Sequence, residues 1–239
     1  MEILAIIPAR GGSKGLPGKN LKNLMGHPLI SYSILAAQKV KLINRIVVST
    51  DDYEIANTSL KYGAEVPVIR PKEFAQDMSS DFDVFFHMLT WLKENENYIP
   101  DYVIQLRPTS PIRKIEHIEK SILKLTSSFY DSLRIVTEAP ITPYKMWDIE
   151  DIDLPMIPLI NAEGIFEPYN QARQALPKKY WQIGYLDIIK TDVILNKKSM
   201  SGESILPFLV DNIFAVDIDN LEDFEKAELT LNNYDCIKF

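Results

Sequence analysis

Cysteine, glycine and long apolar runs are all scarce in this chain of 239 residues. The single cysteine, Cys236, excludes both a disulfide framework and a cysteine-based metal cluster within one chain. No apolar run approaches the length that spans a bilayer, and the first residues lack a signal-peptide pattern. We therefore expect a cytoplasmic protein without a membrane segment.

Positive charge is also in deficit. The chain has 26 Lys and Arg against 33 Asp and Glu, a formal net charge of −7, which argues against a general nucleic-acid-binding protein. The only histidines, His27, His87 and His117, are far apart in the sequence, so nothing favours a histidine-centred metal site or nucleophile. An anionic ligand would have to bind at a local basic site.

Four of the nine glycines lie in one short stretch, "AIIPARGGSKGLPGKNL", from Ala5 to Leu21. Arg10, Lys14 and Lys19 are interleaved with them. A strand followed by a glycine-rich turn and a helix places backbone N–H groups against phosphate. The spacing matches neither a P-loop nor a dinucleotide fingerprint. The stretch predicts a triphosphate site of another kind, and a solvated glycine turn is the alternative.

Short β-branched runs alternate with amphipathic helical patterns, which predicts an α/β fold with parallel strands joined by helices. The chain is long enough for one large domain, residues 1–239. Predicted strands cover residues 3–7, 45–50, 66–70, 102–106, 132–139, 181–189 and 214–219. Predicted helices cover residues 28–40, 51–63, 80–96, 191–196 and 220–234. Residues 139–180, rich in proline and aromatics, are predicted to form an inserted arm whose exposed aromatic patch needs a partner surface.

Two carboxylates and one amide lie in the predicted strands. Asp217 and Asp219 are two residues apart, so a strand would place both on one face, where they could share a Mg²⁺ ion. Exposed strand-end aspartates, with Asp219 as a helix N-cap, are the favoured alternative from these residues alone. Gln105 ends an otherwise apolar strand, where it could align a ligand or be a hydrogen-bonded core amide. Asp52 is predicted to cap a helix.

The stretch "IPARGGSKGLPGKNL" resembles the signature of the CMP-sialic acid synthetases, also called acylneuraminate cytidylyltransferases. "VVSTDD", "RPKEFAQDMSSD", "LRPTSPIR", "QARQALP" and "VDIDNLEDF" resemble further segments of that family, in the family's order, so the resemblance extends over essentially the whole chain. It implies a Rossmann-like nucleotidyltransferase fold, with a mostly parallel sheet, helices on both faces and a dimerisation arm at residues 139–180. The implied reaction joins CTP to a nine-carbon keto acid sugar and releases pyrophosphate.

The same resemblance implies roles for individual residues. The implied nucleotide contacts are Arg10, Gly12, Ser13, Lys14, Lys19, Asn20, Arg70 and Ser80. The implied sugar contacts are Gln105, Thr109, Ser110, Lys145, Arg173 and Gln174. The implied catalytic residues are Arg10, Lys14, Lys19, Gln105, Asp217 and Asp219. With the resemblance, Mg²⁺ binding becomes the favoured role of Asp217 and Asp219, whereas Ser80 could instead cap the helix that follows it.

Several alternatives stay open. The acceptor could be a legionaminic, pseudaminic or eight-carbon ulosonic acid, and a non-catalytic nucleotide-binding relative is the alternative from another class. The chain has Ile183 before Gly184 where the family typically has Asn-Gly, so the N-acyl group of the sugar is left open. The resemblance also implies a homodimer in which Lys145 and Arg173 reach the neighbouring active site and meet the sugar carboxylate or a phosphate.

Overall fold

The computed structural model describes residues 1–239, which form one six-stranded sheet and two short hairpins. The sheet consists of β1 (Ile3–Pro8), β2 (Arg45–Ser49), β3 (Tyr102–Gln105), β4 (Ser132–Glu138), β5 (Tyr180–Lys190) and β6 (Ile205–Leu209). Its spatial order is β6-β4-β5-β3-β1-β2, and only β5 runs antiparallel to its neighbours. The predicted mostly parallel α/β sheet is confirmed, although the antiparallel strand was not foreseen.

Helices cover both faces of the sheet. They are α1 (Leu29–Lys39), α2 (Tyr53–Lys61), α3 (Asp81–Glu96), α4 (Ile115–Thr126), α5 (Thr191–Leu195) and α6 (Leu221–Asn233). Because side chains alternate along a strand, Ile3 and Ile7 of β1 join the core formed with α1, α4 and α6, whereas Leu4 and Ile6 join the core formed with α3 and α5. None of the helices combines the length and apolar character needed to cross a bilayer.

Polar caps define where three helices begin. The Asp52 carboxylate accepts hydrogen bonds from the N–H groups of Glu54 and Ile55 at 2.7 and 3.1 Å, which confirms its predicted capping role. Ser80 caps α3 in a capping box with Asp83. Asn220, and not Asp219, is the N-cap of α6. The alternative in which Asp219 serves as a helix cap is therefore wrong.

Two predicted strands are absent. Residues 66–70 pass alongside the edge strand β2 as irregular chain, where Glu65 makes a single bridge to Val47 and Pro67 has no N–H to extend the pairing. Phe214 ends a short 3₁₀ turn, and residues 215–219 continue as irregular chain outside any strand ladder. In both cases the apolar pattern reflects burial rather than a hydrogen-bonded ladder. Helix α4 and strand β6 were not predicted, and Pro207 is tolerated in β6 because this strand lies at the sheet edge.

Residues 139–180 form the irregular segment that the sequence predicted as an arm. Trp147–Asp148 pairs with Ile157–Pro158 in a short hairpin. Tyr144, Ala162 and Leu176 form a small separate core, and Trp147 packs on Tyr169 with ring centroids 4.7 Å apart. The prediction of one exposed aromatic patch is therefore wrong, because Tyr144 is buried and Trp147 and Tyr169 are only partly exposed, whereas most of the exposed apolar side chains are aliphatic. Its exposed apolar side chains are Ile141, Met146, Ile149, Ile152, Leu154, Met156, Ile157, Leu159, Phe166 and Tyr180.

Candidate active site

A cavity of about 360 Å³ opens where the parallel strands β1, β2 and β3 end. In open α/β sheets the crevice at these carboxyl ends is the usual ligand site. The cavity has few apolar side chains and contains five cationic ones, Arg10, Lys14, Lys19, Arg70 and Arg107. Its full lining is Pro8, Arg10, Ser13, Lys14, Gly15, Lys19, Asn20, Arg70, Phe74, Gln76, Asp77, Ser79, Asp81, Val84, Arg107, Pro108, Thr109 and Asp219.

Arg10 and Lys14 converge on one carboxylate that the sequence analysis did not single out. Arg10 Nη1 lies 3.2 Å from Asp77 Oδ1, and the Lys14 ammonium pairs with the other oxygen of the same carboxylate. Hydrogen bonding from Lys14, reinforced by the charge of Arg10, lowers the pKa of Asp77. Asp77 therefore supplies the negative charge that balances these two cations.

Lys19 connects the glycine-rich loop to the far end of the chain. Its Nζ donates to Ile218 O at 2.6 Å and to Asp219 Oδ1 at 2.9 Å, and its side chain is almost buried. Gly15 packs against the same segment so closely that a Cβ there would lie 2.8 Å from the carbonyl oxygen of Asp219. The buried Asn20 donates from Nδ2 to Arg10 O at 3.0 Å. These contacts fix the loop shape around the cavity.

Asp51, after the end of β2, holds the loop, and Arg70 is bonded to the last residue of the same strand. The guanidinium of Arg70, which is 4% exposed, donates to Ser49 Oγ at 3.1 Å and to the carbonyl oxygens of Ser49 and Phe74. Burial lowers the pKa of Arg70 to about 10, so its guanidinium stays charged at neutral pH. The Asp51 carboxylate accepts from Gly11 N at 3.0 Å, an anchoring role that only the folded structure reveals.

Asp217 and Asp219 keep the shared face that the sequence predicted, although they are not on a strand. Val216 and Ile218 are buried whereas both aspartates are exposed, so the chain here is extended with alternating faces. Ile218 N donates to Thr109 O at 2.8 Å, which holds this segment against the turn after β3. Asp219 lines the cavity, and Asp217 Oδ2 would lie 3.7 Å from a Cβ built on Gly184.

The predicted sugar contacts are found in the cavity lining, in the protein interior and in the 139–180 segment. Thr109 lines the cavity. Gln105 and Ser110 are buried beside it, and neither polar atom of Gln105 nor Ser110 Oγ has a hydrogen-bond partner. The alternative of a hydrogen-bonded core amide at Gln105 is therefore not met within the protein, and buried polar groups without partners are typical of places where a ligand or water binds.

Ser80, Lys145, Arg173 and Gln174 are also absent from the cavity lining. The Ser80 hydroxyl faces its capping partner Asp83 while its neighbours Ser79 and Asp81 line the cavity. Arg173 and Gln174 line a separate cavity, where Arg173 donates to Ala139 O at 2.9 Å. Lys145 is exposed on a 3₁₀ turn of the 139–180 segment. Within one protomer the structure therefore does not bring Lys145, Arg173 or Gln174 to the glycine-rich loop.

Comparison with known proteins decides the family. The cytidylyltransferase family matches residues 4–153. This chain belongs to the cytidylyltransferases. It is 35% identical over 231 residues to the CMP-N,N'-diacetyllegionaminic acid synthase of Legionella pneumophila, covering 95% of both chains. It is 32% identical over 234 residues to post-translational flagellin modification protein B of Campylobacter coli, covering 96% of this chain and 95% of that relative. The predicted nucleotidyltransferase class is confirmed.

Solved structures support the fold of this cytidylyltransferase. A CMP:2-keto-3-deoxy-manno-octonic acid synthetase complexed with CTP superposes with a TM-score of 0.72 at 18% identity, covering 97% of this chain and 99% of that chain. At that identity the likeness concerns the fold alone. It confirms the predicted Rossmann-like arrangement of sheet and helices.

Proposed function

We propose that this cytidylyltransferase transfers CMP from CTP to a nonulosonic acid of the sialic type, releasing pyrophosphate, for the biosynthesis of a surface glycan. The observation that carries the proposal is the basic cavity at the carboxyl edge of the sheet, in which Arg10, Lys14 and Lys19 face the space beside Asp219. The names of full-length relatives, including a legionaminic acid synthase and a pseudaminic acid cytidylyltransferase, support an acid sugar as acceptor. A cytoplasmic location belongs to the same proposal.

The glycine-rich loop would bind the triphosphate. Arg10 and Lys14 would exchange Asp77 for the β and γ phosphates, with the amides around Gly12 and Ser13 as further donors. Lys19 would neutralise the charge that grows on the pyrophosphate as the acceptor hydroxyl attacks the α-phosphorus and the bond to the bridging oxygen breaks. Because both groups must lie in line across the phosphorus, rigid positioning supplies much of the rate.

Asp217 and Asp219 fit a Mg²⁺ ion that is shared with the nucleotide. The chain has no group of three or more Asp, Glu, His or Cys that could hold a metal alone. Mg²⁺ commonly takes one or two carboxylates and completes its octahedron with water and substrate phosphates. The two exposed carboxylates would hold the ion, which when bound would neutralise phosphate charge. In the structure the ammonium of Lys19 balances the negative charge of Asp219.

The 139–180 segment would act as a dimerisation arm. Its exposed aliphatic side chains favour burial against a second copy of the chain, and Lys145, Arg173 and Gln174 lie outside their own protomer's loop cavity. In a two-fold dimer they would reach the neighbouring site and contact the sugar or a phosphate, while Gln105, Thr109 and Ser110 would align the acceptor from within the protomer.

Pyrophosphate release from CTP tests the proposed function. The purified protein is incubated with CTP, with or without Mg²⁺, and with a panel of sialic, legionaminic, pseudaminic and eight-carbon ulosonic acids. We expect Mg²⁺-dependent release with at least one nine-carbon acid, and UTP and ATP serve as nucleotide controls. Release only with the eight-carbon acid would reject the proposed acceptor. CTP binding without release for any acid would favour a non-catalytic nucleotide-binding protein.

Subunit mixing tests the arm. Lys19→Ala and Arg173→Ala are each expected to be inactive alone. If Arg173 works in the neighbouring site, a mixed dimer carries both defects in one site and neither in the other, so activity should partly return after subunit exchange. Mixtures that stay inactive despite proven exchange, or a protein that sediments as a monomer at the assay concentration, would contradict the shared site.

A further inference from the structure

Arg107 is a cation of the cavity whose ion pairs are made outside the glycine-rich loop. It follows β3, and its guanidinium is held by two carboxylates on different elements. Nη1 donates to Asp187 Oδ2 on β5, and Nη2 donates to Asp81 Oδ2 at the start of α3, both at 2.8 Å. The side chain of Arg107 is 24% exposed, so part of the guanidinium remains open to the cavity that it lines.

The two ion pairs of Arg107 differ in how easily they can be broken. Asp187 is fully buried and also pairs with Arg134 on β4, whereas the side chain of Asp81 is 45% exposed. A carboxylate without solvent is stable as an ion only when it is paired and hydrogen-bonded, so Asp187 must keep its arginines. Asp81 can turn into water at little cost, because exposed ion pairs contribute little to stability. Asp187 is therefore the fixed partner and Asp81 the exchangeable one.

Sheet register explains why Asp187 meets these arginines. Asp187 is directly opposite Gln105 on β3 and Arg134 on β4, and residues opposite each other in antiparallel strands project to the same face. The pairing of β4 with β5 is then interrupted, because Val136 is opposite Gln182. The intervening residues of β5 bulge towards the turn after β3. Bulges of this kind often re-aim side chains beside active sites.

Gly184, within that bulge, marks a point where several polar groups converge. A Cβ on Gly184 would lie 2.6 Å from Ser110 Oγ, 3.5 Å from Arg107 Cδ and 3.7 Å from Asp217 Oδ2. Position 184 therefore requires glycine because neighbouring side chains approach the backbone closely, and not because of the backbone angles. Ser110 Oγ is buried and has no partner. The surroundings of Gly184 thus bring a cation, a hydroxyl and a carboxylate together, and none of the three belongs to the glycine-rich loop.

We propose that Arg107 contacts an oxygen-bearing group of the acceptor sugar, and that Asp187, held by Arg134, is a positioning residue that fixes the guanidinium in this orientation. The inference rests on the proposed function and extends it to acceptor specificity. In-line displacement places the acceptor on the side of the α-phosphorus opposite the pyrophosphate. Arg10 and Lys14, which pair with Asp77, are the proposed triphosphate contacts, whereas Arg107 pairs with a different set of carboxylates and is left for the acceptor. Asp81 gives way when Nη2 donates to an oxygen of the sugar instead.

The test measures KM for the acid sugar and for CTP separately in Arg107→Gln and Arg107→Lys. We expect Arg107→Gln to raise the sugar KM about 10- to 100-fold while the CTP KM stays within about twofold, and Arg107→Lys to recover only part of the loss because an ammonium lacks the planar fork. Arg45→Gln is the matched control. Arg45 also pairs with two carboxylates, Glu65 and Glu96, but lies at the start of β2 on the opposite edge of the sheet.

A double-mutant cycle tests the positioning role. If Asp187 acts on the sugar through Arg107, Asp187→Asn should raise the sugar KM, and adding it to Arg107→Gln should raise that KM little further. A merely structural Asp187 would instead add its full effect and raise both KM values. Thermal unfolding and CTP binding report whether each variant folds. If Asp187→Asn does not fold, the Arg107 variants, whose side chain is partly exposed, decide the proposal.

Two results would overturn the proposed role of Arg107, and they have different consequences for the proposed function. A wild-type sugar KM in Arg107→Gln, in an assay where the wild-type protein is active, would reject the role of Arg107 and leave the proposed function standing. A wild-type protein that turns over no acid sugar would reject the proposed function and this inference together.

Discussion

The Lys19 ammonium lies 2.9 Å from Asp219 Oδ1, although 200 positions separate the two residues in the sequence. The same ammonium donates to Ile218 O at 2.6 Å, so one lysine links the glycine-rich loop to the segment before α6. Lys19 is 9% exposed and Asp219 is on the surface of the cavity. The pair thus joins a buried cation, suited to a triphosphate, to a carboxylate suited to a metal ion.

Lys19→Met should lower kcat by about 100- to 1,000-fold, because it removes a charge that stabilises the leaving pyrophosphate. The methionine keeps most of the aliphatic stem, so the loss should exceed any change in folding stability. Steady-state kinetics with thermal unfolding measure both effects, and the exposed Lys41→Met is the control. Unchanged kcat and CTP KM would remove Lys19 from the site.

Asp217→Ala and Asp219→Ala should each reduce turnover by orders of magnitude with the fold intact, if the two carboxylates act through Mg²⁺. Activity at rising Mg²⁺ concentration should show that part of the loss is recovered as the ion is supplied in excess. Asp235→Ala, which removes an exposed aspartate paired with Lys114, should behave like the wild type. Wild-type turnover of both variants at saturating Mg²⁺ would reject the metal site.

Asp77→Asn should tighten CTP binding by about three- to tenfold, since the carboxylate that competes for Arg10 and Lys14 loses its charge. Calorimetric titration with CTP and with pyrophosphate measures the gain, which should appear for both ligands and shrink at high salt. Asp101→Asn, another exposed aspartate in an ion pair, is the matched control. Weaker binding in Asp77→Asn would mean that Asp77 contacts the bound nucleotide or its metal.

Asp131 should make folding stability depend on pH below about 4. Hydrogen bonds from Lys197, at 2.7 Å, and from the Glu203 N–H lower its pKa from 3.8 to about 2. Because the folded pKa is the lower one, the stabilisation is fully present above pH 3.8 and is lost as the pH falls through about 2. Urea unfolding of Asp131→Asn should therefore differ from the wild type by a constant amount at neutral pH.

That difference should shrink as the pH falls from about 4 towards 2, where the wild-type carboxyl also becomes neutral. The exposed Asp153→Asn serves as the control. If the difference in the free energy of unfolding between the wild type and Asp131→Asn stays constant down to pH 2, the ion pair with Lys197 does not contribute to that difference.

Secondary structure could be predicted wherever burial and hydrogen bonding follow the same local pattern. Strands β1 to β3 and helices α1 to α3 lie within a few residues of their predicted positions. The pattern fails at residues 66–70 and 214–219, which are apolar enough for strands but have no neighbour to complete a ladder. Pairing depends on which segments become adjacent, and periodicity carries no information about that.

The acceptor side of the site could not be predicted in the same way. Arg107 was one polar residue of a proline-rich turn, and Asp187 was one acid in a predicted strand. Their ion pair, with Arg134 as the third member, requires β5 to run antiparallel between β3 and β4 and to bulge at Gly184. No sequence spacing encodes that register.

By itself the amino-acid sequence determined the glycine-rich loop, because its glycines and cations lie within one short stretch and their backbone requirements are local. It also determined the alternation of buried strands and amphipathic helices. Only the tertiary structure decided that Asp77 neutralises Arg10 and Lys14, that Asp219 meets Lys19, and that Asp187 holds Arg107. Ion pairs between distant segments form only after the hydrophobic cores on the two faces of the sheet have brought the strand ends together.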